Sequence, residues 1–319
     1  MSKLTIVLTT YNRPNFLKLA IDAILIQTFT DFDLVILDNG SDDRTSSVIK
    51  LFNDSRITSL KTEKNDFNFV NKAFEYTKND YLMITHDDDI MEKNLLQSHI
   101  KKLESNKKIG LISCCLNLID DEGKLLNKIR PRIKKDKTWN KHEFLKEFLF
   151  RGDIIPCPAT IFRSSLIIKN KLKYNFEVGP AHDLFLIFKI NLLDTYIYLS
   201  KDPMYRYRIH NTQHSNINRI SLEYNIRPHA IKLFKNYNLN KIAKKYSQAS
   251  LGLILQILIN DYFVGKMKFK DFRNQLNKLI NNKIKINIYT LYWFVFGILR
   301  GLKNLTFNMN NIRFLSWLP

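Results

Sequence analysis

The sequence predicts a doubly wound α/β fold on a mostly parallel sheet, with a helical C-terminal extension. Three observations carry that prediction. Strand-length apolar runs alternate with stretches of helical periodicity through the first half. Polar clusters fall at the C-terminal edges of the predicted strands, and from about residue 220 the pattern is helical and basic. Of 319 residues, 45% are hydrophobic and 12% aromatic, with only 9 Gly and 8 Pro, which excludes intrinsic disorder and collagen-like or linker-dominated chains. The length suits about two domains, or one large domain with an appendage. No internal repeat points to a solenoid or propeller.

Each element follows from its local pattern. Leu4–Thr9 is an apolar strand. Behind Pro14, which suits a first helical turn, Leu17, Ala20, Ile21, Ile24 and Leu25 line one helix face. Phe32–Leu37 is the next strand, with Asp38 at its end. Asn39-Gly40-Ser41-Asp42-Asp43 then turns the chain, with Ser41 or Asp42 placed to cap the following helix. A short strand at Ile57–Leu60 precedes a helix bearing Val70, Ala73 and Phe74, and Tyr81–Thr85 is a buried strand delivering His86-Asp87-Asp88-Asp89. Leu95, Leu96, His99, Ile100 and Leu103 mark a helix, and Ile109–Cys115 a strand. Beyond it the pattern gives a hairpin turn at Asp120–Gly123, a helix over 142–150 and a Pro-opened strand over 156–162. A helix from Asp183 to Leu193 follows, then strands at Tyr196–Leu199 and Tyr205–Ile209. Ligands of such sheets bind beyond the carboxyl ends of the strands, so Thr9–Asn12, Asp38 and the His-Asp-Asp-Asp run are expected to line one crevice.

Cysteine and charge narrow the setting. Cys114 and Cys115 are neighbours and, with Cys157, form neither a disulfide framework nor a Cys-x-x-Cys metal pattern, which suits buried thiols in a reducing compartment. The apolar run Leu4–Leu8 is too short for a secretion signal, so the protein is expected to stay in the cytoplasm. From position 201 onward there are 20 basic and 4 acidic residues, a net charge of +16, against +4 for the first 200. An anionic partner is implied: nucleic acid, phospholipid or a phosphorylated substrate. The 14-residue stretch 286–299, followed by Arg300 and Lys303, falls short of the roughly 20 residues a spanning helix needs. Two readings stand for it: a helix lying among lipid headgroups, or an ordinary packed helix with solvated charges.

Three aspartates at the end of a buried strand repel one another and need a positive partner. A hard divalent cation with a diphosphate as co-ligand supplies one. A solvated helix-capping turn would account for one or two of these acids, not three. The sequence has no Gly-x-Gly-x-x-Gly after its first strand, no Gly-x-x-x-x-Gly-Lys-[Ser/Thr] and no Gly-x-Ser-x-Gly. Those absences argue against a dinucleotide dehydrogenase, an ATPase and an esterase elbow.

Leu4-Thr-Ile-Val-Leu-Thr-Thr-Tyr-Asn-Arg13 and Ile24-Leu-Ile-Gln-Thr-Phe-Thr-Asp-Phe-Asp-Leu-Val-Ile-Leu-Asp-Asn-Gly-Ser-Asp-Asp-Arg-Thr45 resemble the opening of the family 2 glycosyltransferases. The resemblance covers roughly residues 3–215, is specific over the first 90, and is nearest to bacterial non-processive members that build surface polysaccharides. It implies the nucleotide-diphospho-sugar transferase (GT-A) fold, with residues 1–110 as a nucleotide-sugar-binding half, 111–218 as an acceptor half of the same domain, and 219–319 as a basic helical region. By the same resemblance Thr10, Tyr11 and Arg13 lie on the loop that wraps the base, and Asp38 bonds the base edge. Asp66 and Asn71 lie toward the ribose and metal site. Asp87 and Asp88 match the acidic pair, with Asp88 the metal ligand; His86 stands where many members have an aspartate.

Gly179-Pro-Ala-His-Asp183-Leu-Phe resembles the acceptor-side acidic motif, which makes Asp183 the catalytic base; a simple N-cap is the plainer reading. Tyr205-Arg-Tyr-Arg-Ile-His210-Asn resembles the loop whose His completes the metal shell and whose Arg, here Arg208, meets diphosphate. His214 is a weaker candidate. Gln-x-x-Arg-Trp, the processive signature, is absent. The implied activity is inverting, Mg2+- or Mn2+-dependent transfer of one sugar from a nucleotide-diphospho-sugar to a lipid-linked oligosaccharide of O-antigen or capsule. The enzyme would sit peripherally on the anionic inner face of the inner membrane.

Two rivals fare worse. A nucleotidyltransferase making sugar nucleotides would need a Gly-rich phosphate loop that Thr9–Arg13 lacks. A nucleic-acid binder, suggested by pI ≈ 9.7 alone, would meet an Asp-rich crevice that repels phosphate, so no nucleic-acid partner is expected.

Overall fold

In the computed structural model, residues 2–152, 154–210, 219–263, 265, 267–281, 291–292 and 295 are described. The chain divides into two compact units: residues 1–142, 154–176 and 189–213, and residues 143–153, 177–188 and 214–319.

The first unit is a sheet with helices. Its opening strand, β1 (Leu4–Thr10), is buried along nearly its whole length, as a strand covered on both faces must be. Helix α1 (Pro14–Leu25) starts with Pro at its first position and buries Leu17, Ala20, Ile21 and Ile24. Strand β2 (Phe32–Asp38) leads to α2 (Asp43–Lys50), capped by the Asp42 side chain on Thr45 N–H. Next come β3 (Ile57–Lys61), β4 (Tyr81–His86), β5 (Ile90–Met91), α3 (Leu95–Ser105), β6 (Ile109–Ile119), β7 (Leu125–Arg130) and β8 (Lys137–Trp139). Past α4 (Glu143–Arg151) follow β9 (Ile161–Arg163) and α5 (Ser164–Lys169), then α6 (His182–Asn191) and β10 (Tyr196–Arg208).

The strands form one mixed sheet of order β3-β2-β1-β4-β9-β6-β10-β5, with β7 on β6 and β8 on β10. The β3-β2-β1-β4 block is parallel, so Asp38, Thr10 and His86 end neighbouring strands, in the registers Thr10↔Asp38 and Thr9↔His86. The chain passes from β1 outward to β2 and β3, then returns to β4 on the other side of β1. That reversal opens a crevice at the strand ends.

Three predicted elements differ. The segment over 156–162 forms a 3-10 turn, Cys157–Ala159, before the three-residue β9, because Pro156 and Pro158 have no N–H to give a ladder. The helix bearing Val70, Ala73 and Phe74 is a 3-10 helix, Phe67–Tyr76. The two strands predicted over 196–209 are one strand, β10, whose register to β6 shifts around Pro203.

Within the first core, His99 on α3 is fully buried and neither ring nitrogen makes a hydrogen bond. Burial drives its pKa down to about 3. The unfolded chain takes up this proton near the ordinary value of 6.5 and the fold does not, so stability is complete above 6.5 and is lost progressively as pH falls toward 3. At pH 5 the loss is about 2 kcal/mol. Accordingly, His99→Leu should lose less melting temperature between pH 7 and pH 5 than the parent, by calorimetry. An equal loss in both would refute this.

The second unit holds α4, most of α6, α7 (Arg219–Asn236), α8 (Asn240–Phe263) and α9 (Phe269–Asn281). Phe148, Phe188, Phe234 and Tyr246 pack edge to face at its centre, Phe148 and Phe188 with centroids 5.0 Å apart. Leu251, Ile254, Leu258 and Leu279 join α8 to α9. Among the described residues no helix is long and apolar enough to cross a membrane. Apart from Leu291, Tyr292 and Val295, the stretch 286–299 lies outside the described residues, as do Arg300, Lys303 and His214.

Candidate functional site

Three loops meet at the strand ends, and short side chains tie them. Asn12, with a left-handed φ of 53°, donates its N–H to Ser41 Oγ (2.9 Å) and accepts from Asp42 N–H at Oδ1 (2.8 Å). Asn39 gives its side-chain N–H to Asn65 Oδ1 and accepts from Asp66 N–H, 2.8 and 2.9 Å. Gly40 follows at φ 79°, where a Cβ would stand 2.6 Å from the Lys64 carbonyl carbon; only glycine fits.

Asp38 lies inside this frame. It is 1% exposed, and Oδ1 accepts from Ser41 N–H at 2.8 Å. Its Oδ2 is buried without a hydrogen-bond partner. A carboxylate oxygen left so is costly unless a ligand supplies the donor. Tyr11, 40% exposed on the adjoining loop, offers an aromatic face.

On the other side of β1 the acids are packed tightly. Thr10 Oγ1 donates to Asp87 Oδ2 (2.6 Å), and Arg13 Nη1 bridges Asp87 Oδ1 (3.2 Å) and Asp88 Oδ2 (2.6 Å). His210 Nε2 lies 2.9 Å from the same Asp88 Oδ2. Burial and the charge of Asp88 push Asp87 up to about 6. Burial would raise Asp88 too, but the His210 hydrogen bond and the charges of His86 and Arg13 outweigh it and hold Asp88 at about 2. Asp89 is raised well above the carboxylate range by burial and by Asp88; its oxygens accept from Arg208 N–H (2.9 Å) and Tyr205 O–H (3.2 Å).

One donor atom each from His86, Asp88 and Asp89 fall within 4.8 Å of one another, and His210 adds an imidazole beside Asp88. This mixture of carboxylate and imidazole donors fits a divalent cation. Sequence reading placed Asp88 and His210 together, and they meet. The sequence takes His86 only as a variant of the family's aspartate, and counts Asp89 among the three acids that need a cation without giving it a separate role.

Elsewhere the structure departs from expectation. Arg13, expected at the base, lies on the acid pair, and Thr10 bonds Asp87. Arg208, expected on diphosphate, is 1% exposed and turned inward: its guanidinium donates to the carbonyls of Asp88, Asp120 and Asp121 at 2.8 to 2.9 Å and lies over Phe16. It fixes the acid loop from behind. The Asn71 amide exchanges two hydrogen bonds with the Tyr174 main chain, 3.1 and 3.0 Å, and so pins that segment rather than facing a ribose. Asp66 caps the 3-10 helix on Asn68 N–H and is exposed. Asp183 lies in the second unit, in the first turn of α6, where its Oδ1 accepts from Leu184 N–H at 2.7 Å.

Residues 5–167, just over half the chain, match the sequence model of glycosyl transferase family 2. The chain belongs to that family. This family 2 glycosyltransferase is 25% identical over 215 residues to an uncharacterized glycosyltransferase of Rickettsia typhi, a match that spans 66% of this chain and 65% of the relative's own length. It is 22% identical over 306 residues to the amylovoran biosynthesis glycosyltransferase AmsB of Erwinia amylovora, covering 89% of this chain and 97% of AmsB. Among solved structures, S. aureus TarS (residues 1–349, with UDP-GlcNAc) superposes with TM-score 0.68 at 14% identity over 95% of this chain and 89% of that one. The mannosyltransferase PcManGT of Pyrobaculum calidifontis, with GDP-Man and Mn2+, gives TM-score 0.53 at 14% identity over 96% and 88%. The shared fold is the GT-A glycosyltransferase fold, and the relatives include proteins of polysaccharide biosynthesis.

Proposed function

We propose that the enzyme moves one sugar, with inversion, from a nucleotide-diphospho-sugar to a hydroxyl of a lipid-linked oligosaccharide in O-antigen or capsule assembly, using Mg2+ or Mn2+. The observation that carries this reading is the unpartnered, buried Oδ2 of Asp38, an acceptor two strands from the acid cluster. At about 4.8 Å per strand that is roughly 10 Å, which a nucleoside diphosphate spans. Asp38 would take an N–H of the base and Tyr11 its ring face, with Asp66 on the ribose side. Asp88, with His86 and His210, would hold the cation, and Thr10 would fix Asp87 beside it. When bound, the cation offsets charge on the departing diphosphate. Asp183 would remove the acceptor's proton. Residues 1–110 would serve the donor, 111–218 the acceptor and 219–319 the membrane.

The solved relatives support the donor class, since TarS is seen with UDP-GlcNAc and PcManGT with GDP-Man and Mn2+. A Campylobacter jejuni relative, 25% identical over 187 residues, is named for glucosyl transfer to GalNAc(5)-diNAcBac-PP-undecaprenol, which supports a lipid-linked acceptor. Support for a membrane surface comes from Tyr262, Phe263 and Phe269, each 37% exposed or more, beside Lys268, Lys270 and Arg273.

The test is a donor screen with UDP-, GDP- and dTDP-sugars plus Mn2+, together with sedimentation on anionic and neutral vesicles. One nucleotide class should raise the melting temperature and be hydrolysed, and the protein should pellet with anionic vesicles only. Failure of every nucleotide sugar to bind would end the donor reading, and indifference to vesicle charge would end the membrane reading.

A further inference from the structure

We propose that Arg13 is a displaceable counter-ion of the acid cluster. Its guanidinium occupies Asp88, the acid that would hold the cation, together with Asp87 beside it, and leaves when a diphosphate arrives to receive it, so that cation and donor enter together. This rests on the cation-and-nucleotide reading above and assigns that site its order of filling.

The geometry argues for competition. A single nitrogen, Arg13 Nη1, bridges the two carboxylates, and it reaches the same Asp88 Oδ2 that His210 Nε2 approaches at 2.9 Å. That oxygen cannot give the same lone pairs to a cation while both hydrogen bonds persist. Asp87 and Asp88 are nearly buried, whereas the Arg13 side chain is 22% exposed, so the positive group is the one with room to move. Its backbone is held. Arg13 O accepts from Leu17 N–H at 2.9 Å at the start of α1, and Asn12 is tied to Ser41 and Asp42. The pivot is therefore the side chain alone.

A guanidinium fork matches phosphate oxygens at least as well as carboxylates. With both a cation and a diphosphate present, each carboxylate and each phosphate again faces a positive group. With the cation alone, Arg13 is expelled and has no anion to meet. The two ligands must then strengthen each other's binding, equally in both directions.

Isothermal titration of the full chain with Mn2+ alone, and with Mn2+ in the presence of UDP or GDP, tests this. Arg13→Met should bind Mn2+ alone roughly tenfold more tightly than the parent and lose most of the nucleotide-driven enhancement. Arg13→Lys, which keeps the charge, should behave nearly as the parent does. The proposal is overturned if Arg13→Met binds Mn2+ alone no more tightly, or if Arg13→Lys tightens as much as Arg13→Met, while nucleotide-assisted Mn2+ binding by the parent persists. If parent and variants all ignore Mn2+ even with either nucleotide, the cation reading falls and takes this one with it.

Discussion

Replacing Asp183 with Asn should cut sugar transfer by about a thousandfold, inside the range a positioned general base supplies, and leave donor binding and melting temperature unchanged. The substitution is nearly isosteric, and the amide oxygen can still accept from Leu184 N–H as Oδ1 does now. Under the proposed function, only the proton acceptor is lost. Asp183 sits in the first turn of α6, close to the unpaired N–H groups at the helix start. Its neighbour does not compete. Burial holds the His182 imidazole below its ordinary value despite the nearby carboxylate charge, so it is neutral at pH 7, with Nδ1 3.2 Å from Gly179 O. Gly179 has φ 68°, and a Cβ there would come within 3.0 Å of Asn225 Nδ2, which fixes the loop entering the helix. Steady-state transfer beside nucleotide affinity separates the cases. If kcat stays within about threefold of the parent, well outside general-base magnitudes, the base lies elsewhere.

Asp88→Asn is expected to be as severe for a different reason. The acid carries the negative charge of the cluster most firmly, held at about 2, and it is the residue common to Arg13, His210 and the His86–Asp89 group. Asn keeps the shape and one oxygen but removes the charge. Without the charge that would hold the cation against the departing diphosphate, turnover should fall on the order of a hundred- to a thousandfold. Here Mn2+ binding should weaken as well, while nucleotide binding without cation changes little. Measuring Mn2+-dependent donor hydrolysis over a metal titration checks this. Full activity recovered at parental Mn2+ concentrations would remove Asp88 from the role.

How far these residues could be read in advance depended on the range of the interactions. Helix α1 and strands β1, β2 and β4 announce themselves through 3.6-residue periods and unbroken apolar runs, and the polar strand ends follow from the topology. Phe67–Tyr76 reads in sequence as an ordinary helix because a 3-10 and an α-helical face share their i, i+3 contacts over so short a span. Pro203 split one strand into two on paper because a residue without N–H reads as a break, whereas β10 continues past it with shifted register. The pairings at the site were invisible for another reason. Arg13 with Asp88, and Asn71 with Tyr174, lie 75 and 103 residues apart, and no periodicity links partners at such separations. His210 came through because a family motif, not spacing, pointed to it.

One guanidinium grips both the Asp88 carbonyl and the turn carbonyls of Asp120 and Asp121, and a Cβ on Gly123, φ 87°, would stand 3.6 Å from it. The hairpin tip between β6 and β7 is therefore mechanically geared to the acid loop. Lengthening or recasting that tip would retune the enzyme from outside its pocket, and a designer grafting loops there should move Arg208 and the tip together as a single part.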